Sequence, residues 1–198
     1  MSDTYRSAAC ETEVEIKIER SRFIGWVRPV NSEQEAKQCI AKRSQLHRQA
    51  THNTWAYRVN PELDIRFASD AGEPTGTAGE PILRAILHLD LMNTLVVVTR
   101  YFGGRKLGIR GLIDAYGTTA SQALAAAGSV DRVSADSYEL LVNYPELDQC
   151  LHLIKTVGGK VLTADYLEYV TLRVAIPQSK VADFLSQMPP IVKIKDPL

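Results

Sequence analysis

Leu95–Leu112 reads LVVVTRYFGGRKLGIRGL. Leu95, Val96, Val97 and Val98 form a short continuous aliphatic run, which suits a strand buried on both faces. From Ile109 to Ala127, the residues Leu112, Tyr116, Ala120, Ala123, Leu124 and Ala127 recur on one face of a helix. The stretch is therefore a strand, a glycine-rich turn and a helix. The turn region carries Gly103, Gly104, Gly108 and Gly111 together with Arg100, Arg105, Lys106 and Arg110. It is no P-loop, because Ile109-Arg110 stands where Lys-Ser/Thr is required after the second glycine. Its glycines give no G-x-G-x-x-G either. Free amides and the dipole at a helix start favour an anion there, and the four cations add to that preference. The competing reading is a loop whose glycines supply positive φ and whose basic side chains are solvated.

Upstream, Glu13–Val30 reads as extended, with Val14, Ile16 and Ile18 alternating against charges. Ser32 and Glu35 form a capping box ahead of a helix that turns Ala36, Cys39 and Ile40 inward. Thr51–Val59 and Asp64–Ser69 read as strands joined at Asn60-Pro61. Thr77 and Glu80 form a second capping box, opening a helix to about His88. The central strand is Asn93–Tyr101, and Gly128 is placed to end the long helix. A break near Asp131 separates residues 1–131 from residues 132–198. Beyond it Tyr138, Leu140 and Val142 alternate. Pro145 then starts a helix with Leu147, Cys150, Leu151, Ile154 and Val157 on one side. Strands follow at Val161–Tyr166 and Val170–Ile176. A helical stripe of Val181, Phe184, Leu185 and Met188 comes next, and a last strand at Ile191–Ile194. The order β-α-β-β-α-β is that of ferredoxin-like domains. The fold class is thus α+β in two domains.

The 198 residues carry 23 basic and 23 acidic side chains, so the chain as a whole is no polycation. No apolar run approaches the ~20 residues that span a bilayer, and the first residues lack a signal-peptide core. Cys10, Cys39 and Cys150 are too scattered for a disulfide framework and predict a cytoplasmic protein. Charge is uneven nonetheless. Ala36–Pro61 holds Lys37, Lys42, Arg43, Arg48 and Arg58 without an acid, and Leu91–Ile113 holds the four loop cations without one. The two tracts can merge into a basic face for phosphates or lie on opposite sides of a sheet.

For catalysis the candidates are His52, Asp70 and Glu73. Asp70 and Glu73 lie in DAGEPTGTAGEP, where acid/base or metal chemistry competes with a turn and a helix cap. His52, near Trp55 and Tyr57, suits a packed histidine as well as a catalytic one. His47, His88 and His152 lack ligand spacing, there is no HExxH or GxSxG, and no metal or cofactor is expected.

SRFIGWVRPV, ATHNTWAYRV, RFASDAGEPTGTAGEPIL and VVVTRYFGGRKLGIRGLIDAYG together resemble the YigZ/IMPACT family, over roughly Ser21–Leu124. The resemblance implies a first domain like a domain of a small-subunit ribosomal protein. It implies a second like the ferredoxin-like domain that ends elongation factor G. Eukaryotic members regulate translation by competing for a binding partner of a starvation-responsive kinase; their extra protein-binding domain has no counterpart in this sequence, so the resemblance does not carry that role over. Bacterial members are proposed to bind nucleic acid or the ribosome. Some members carry a proline-dipeptidase label, which no metal-ligand set here supports. Two departures stand out: Arg110 replaces the usual glycine, and Ala-Ser-Asp-Ala precedes Gly72 where paired aspartates are common. The expected function is RNA or ribosome binding with a role in translation regulation. Arg100, Tyr101, Gly103, Gly104, Arg105, Lys106, Gly108 and Arg110 would form the phosphate site, with His52 contributing if it faces the same side. The alternatives are an enzyme for a small phosphorylated or acidic substrate, using His52, Asp70 and Glu73, and a protein-interaction module.

Overall fold

The structure, a computed structural model, describes residues 3–189 and 193–195. It divides into two compact units, one of Tyr5–Arg132 and one of Val133–Leu198 with Met1–Thr4. Both mix helices with sheets. β1 (Thr4–Ala8) opens the chain, followed by β2 (Thr12–Ile18) and β3 (Ser21–Pro29). Next come α1 (Glu33–Leu46), β4 (His52–Val59), β5 (Ile65–Ser69), α2 (Gly79–His88), β6 (Thr94–Tyr101) and α3 (Gly108–Ala127). β2–β6 form an antiparallel sheet in the order β2-β3-β6-β4-β5.

β6 lies at the centre because both its faces are apolar. Leu95 and Val97 pack with Trp26, Tyr57 and Cys39 on the α1 side. Val96 and Val98 pack with Phe23, Ile82, Leu112 and Tyr116 on the α2 and α3 side. Each such side chain contributes about 1.5–3 kcal/mol of burial, before the entropy of ordering is subtracted. β7 (Ser129–Val133) then pairs with β1 in a small sheet. Neither β1 nor β7 is foreshadowed in the sequence, because β7 is exposed throughout and has no alternation.

Glu13–Val30 is not one extended stretch. It is a hairpin whose turn residues, Glu19 and Arg20, both have positive φ (48° and 70°). Such turns usually announce themselves with Asn-Gly or Asp-Gly, and here they do not. The Ser32 cap forms as read: its hydroxyl accepts from the Glu35 amide, while the Glu35 carboxylate accepts from Asn31 N–H. The second capping box does not form. α2 has no side-chain cap at Ala78, Thr77 Oγ1 donates to the Pro74 carbonyl, and Glu80 pairs with Arg84. Asp70 caps the helix instead. Its Oδ1 accepts from Ala78 and Gly79 N–H at 2.9 Å each, and its Oδ2 from Gly76 N–H at 2.8 Å.

In the second unit β8 (Ala135–Val142) leads through a short turn at Pro145 into α4 (Leu147–Thr156). β9 (Lys160–Tyr166), β10 (Val170–Pro177), α5 (Val181–Gln187) and β11 (Lys193–Lys195) follow. The sheet order is β11-β8-β10-β9, with every neighbouring pair antiparallel. Leu140, Val142, Cys150, Ile154, Leu172, Ile176 and Phe184 are buried between the sheet and its helices. Of the last strand read at Ile191–Ile194, the first two residues lie outside the described residues.

Candidate functional site

Three neighbouring strands present one side chain each, in register, on the α2 and α3 face. Phe23 of β3 is opposite Arg100 of β6, which is opposite His52 of β4. Arg100 is 5% exposed. Such a charge has to be paired where it lies, and Glu73, on the loop between β5 and α2, accepts from its Nη1 at 2.6 Å. Tyr116 of α3 donates to the same Glu73 oxygen at 2.7 Å and meets Phe23 edge-on at 5.3 Å. Burial, then the Glu73 acceptor, push the Tyr116 phenol far above its ordinary range. His52 Nδ1 lies 2.9 Å from the Ala71 carbonyl, so that nitrogen carries the proton, and Nε2 faces Glu73 Oε1 at 3.9 Å. The cluster is a carboxylate fixed by a cation and a hydroxyl, with an imidazole at its more open edge.

Asp70 does not join this cluster. Burial pushes its carboxyl up, but the three amides it accepts outweigh that and hold it below the usual value. Glu73 and His52 are brought together, while Asp70 is committed to the start of α2. Tyr101 does not share a side with His52, because alternation along β6 turns it to the α1 face. There it bonds His47 Nδ1 at 3.0 Å, with the Arg22 guanidinium 4.6 Å from its ring centre. Burial and Arg43, and less strongly Arg22, push the His47 imidazole below its usual range against the pull of Glu13.

The loop after β6 is held at its base and open at its tip. A Cβ on Gly103 would lie 1.9 Å from the Arg20 carbonyl oxygen, so only glycine lets the loop close on the β2–β3 turn. Phe102 N–H donates to Thr51 Oγ1 at 3.0 Å. Gly104 and Gly108 have positive φ (87° and 71°), with no atom within 4 Å of a Cβ built on either. Arg105 is exposed and pairs with Glu19 at 2.7 Å. Lys106 and Arg110 are exposed and have no partner among the described residues. α3 starts with no side-chain cap and no acid in its first turn. Arg110 lies in that turn with no positive φ, so it adds charge without backbone strain.

The acid-free tract at Ala36–Pro61 is not acid-free in space. Lys37 pairs with Glu33, Arg43 with Glu13, and Arg58 with Asp64 and Asp90, which leaves Lys42 and Arg48 without partners among the described residues. Helical periodicity places Tyr116 in the core but does not reveal the role of its hydroxyl, which donates to Glu73. The available signal was a phenol on a helix face of small and aliphatic residues, since a buried tyrosine O–H needs an acceptor. A groove of about 550 Å³ between α2 and α3, and a cavity of about 190 Å³ beside Trp26 and Arg43, are lined by neither His52, Glu73 nor Arg100. Among the described residues no cluster of His, Cys, Asp and Glu has the make-up of a metal site. No described helix is long and apolar enough to cross a membrane.

Residues 19–124 match the Impact N-terminal domain. IMPACT family member YigZ of Escherichia coli (strain K12) is 34% identical over 183 residues, which is 91% of this chain and 89% of that protein. IMPACT family member YvyE of Bacillus subtilis (strain 168) is 49% identical over 120 residues, spanning 61% of this chain but only 55% of that protein. A crystal structure described as that of a hypothetical protein superposes with a TM-score of 0.71 at 29% identity, covering 99% of this chain and 98% of that one. With a family domain over more than half its length and a relative that matches nearly end to end, the chain belongs to the YigZ/IMPACT family.

Proposed function

We propose that the chain binds RNA or the ribosome through the loop after β6. The observation that carries this reading is the pair of exposed cations, Lys106 and Arg110, that have no acidic partner among the described residues and lie at an uncapped helix start. Free amides and unpaired cations at one helix end suit phosphate oxygens. Arg100 serves differently, as the buried anchor that fixes the base of the loop through Glu73. A role in translation regulation, which family membership suggests, is consistent with such a partner. The sheet order β11-β8-β10-β9 supports a ferredoxin-like second domain, and the family resemblance supports a ribosomal-protein-like first one, with the boundary near Asp131. Three free cysteines fit a cytoplasmic location.

Purification of the full chain without nuclease tests the reading. RNA above the level of a control protein is expected to copurify, and to be lost in Lys106→Ala/Arg110→Ala. Its absence from the parent, or its persistence in the variant, contradicts the reading. A second reading, an enzyme for a small phosphorylated or acidic substrate, rests on His52 Nε2 facing the Glu73 carboxylate at 3.9 Å. It requires His52→Gln to abolish turnover of such a substrate while RNA affinity is unchanged.

A further inference from the structure

Phe102 is 46% exposed, a large apolar ring left in solvent. Exposure alone argues little, since single surface hydrophobics are common. Its setting argues more. The Arg100 guanidinium lies 5.4 Å from the Phe102 ring centre and 5.5 Å from that of Phe23, so it is held between two rings. Arg100 is itself locked by Glu73, and the Phe102 backbone is held by Thr51. The ring is therefore supported by a fixed cation rather than resting on mobile side chains. Gly103 and Gly104 follow it directly and bring no side chain to cover it. Lys106 and Arg110 lie on the same loop and first helical turn. Phe67, another exposed ring, lacks this setting: it continues the row Trp55–Tyr57–Phe67, and the adjacent Arg66 is engaged with Asp64.

A flat ring with rigid support, bare glycine beside it and unpaired cations along the chain is what an unstacked nucleobase and its phosphates require. We propose that Phe102 is a stacking platform for an unpaired base, so that the ligand class is single-stranded nucleic acid rather than duplex. This rests on the reading of the loop as a phosphate site. Bases in a duplex are already stacked on one another and cannot reach the ring, whereas the phosphates of either form can reach Lys106 and Arg110.

The test measures binding of the full chain to a labelled single-stranded oligouridylate and to an RNA duplex of the same length, both at low salt. Phe102→Leu keeps an apolar side chain but removes the ring, and Phe102→Tyr keeps the ring. The expected result is that Phe102→Leu weakens single-strand binding by about tenfold and leaves duplex binding within about twofold. Phe102→Tyr should bind the single strand as the parent does. Unchanged single-strand affinity in Phe102→Leu overturns the proposal, as does an equal loss for both RNAs. If those outcomes occur while Lys106→Ala/Arg110→Ala still weakens binding, the stacking role fails and the phosphate site stands. If the parent binds neither RNA, both fail together.

Discussion

Glu73 shows how much one residue holds in this fold. It neutralises the buried Arg100 and receives the Tyr116 hydroxyl, so its loss strands both. Glu73→Ala should cost about 3 kcal/mol or more in urea unfolding, because an uncompensated charge remains inside. A cost below about 1 kcal/mol would show that the cluster does not hold the sheet face to α3. Arg100 was legible as a cation beside glycines but not as a buried one. Its burial follows from strand alternation carried two residues past the aliphatic run, and its partner lies 27 residues away. The glycines divide in the same way. Gly103→Ala should destabilise by about 2–3 kcal/mol, since the clash is with the Arg20 backbone and cannot be relieved by a side-chain rotation. Gly104→Ala should cost about 1 kcal/mol, the strain of positive φ in open space. Equal costs at the two positions would contradict the close approach at Gly103. Arg110→Gly should weaken RNA binding and lower stability by less than about 1 kcal/mol, since Arg110 is unstrained and exposed.

At the scale of elements, α2 depends on a carboxylate outside itself. Asp70 is held below its usual value because three amides outweigh its burial. A group whose folded value is depressed contributes stability above its unfolded value, near pH 4, and that contribution is lost as pH falls through the lower folded value. Asp70→Asn keeps one accepting oxygen but loses the charge and the acceptor for Gly76 N–H, so it should cost about 1 kcal/mol at pH 7, and the gap from the parent should narrow by pH 3. Urea midpoints at the two pH values measure this, and an equal gap at both would contradict the capping role. A helix start near Gly79 was legible, but its cap was misplaced. Thr77 and Glu80 have the right spacing, yet Thr77 turns to the Pro74 carbonyl and the amides go to a residue eight or nine positions earlier. The β2–β3 turn was illegible for a related reason. Glu19 and Arg20 carry no turn signature, and the shape is held by the register of the strands and by contact with Gly103.

Across the whole molecule, the central strand, the long helix, β8, α4 and β10 were readable because their apolar periods are unbroken. The pairing of charges was not, since the acids that neutralise Arg43, Arg58 and Arg105 lie outside the tracts that looked acid-free. The second unit also draws on the chain's beginning: the Asp3 carboxylate accepts from Ser179, and its carbonyl accepts from Ser134 N–H. A fragment from Arg132 onward should still unfold cooperatively, with marginal stability for its small buried area. Random-coil circular dichroism at all temperatures would contradict that boundary. The central claim is that Lys106 and Arg110, with the open glycine loop, form the phosphate site. The most direct measurement is the salt dependence of full-chain binding to single-stranded RNA. Each neutralised phosphate contributes a log–log slope of ~0.7, so Lys106→Ala/Arg110→Ala should lower the slope by about 1.4 and weaken binding similarly across sequences. A folded double variant with the parent's affinity and slope would contradict the claim.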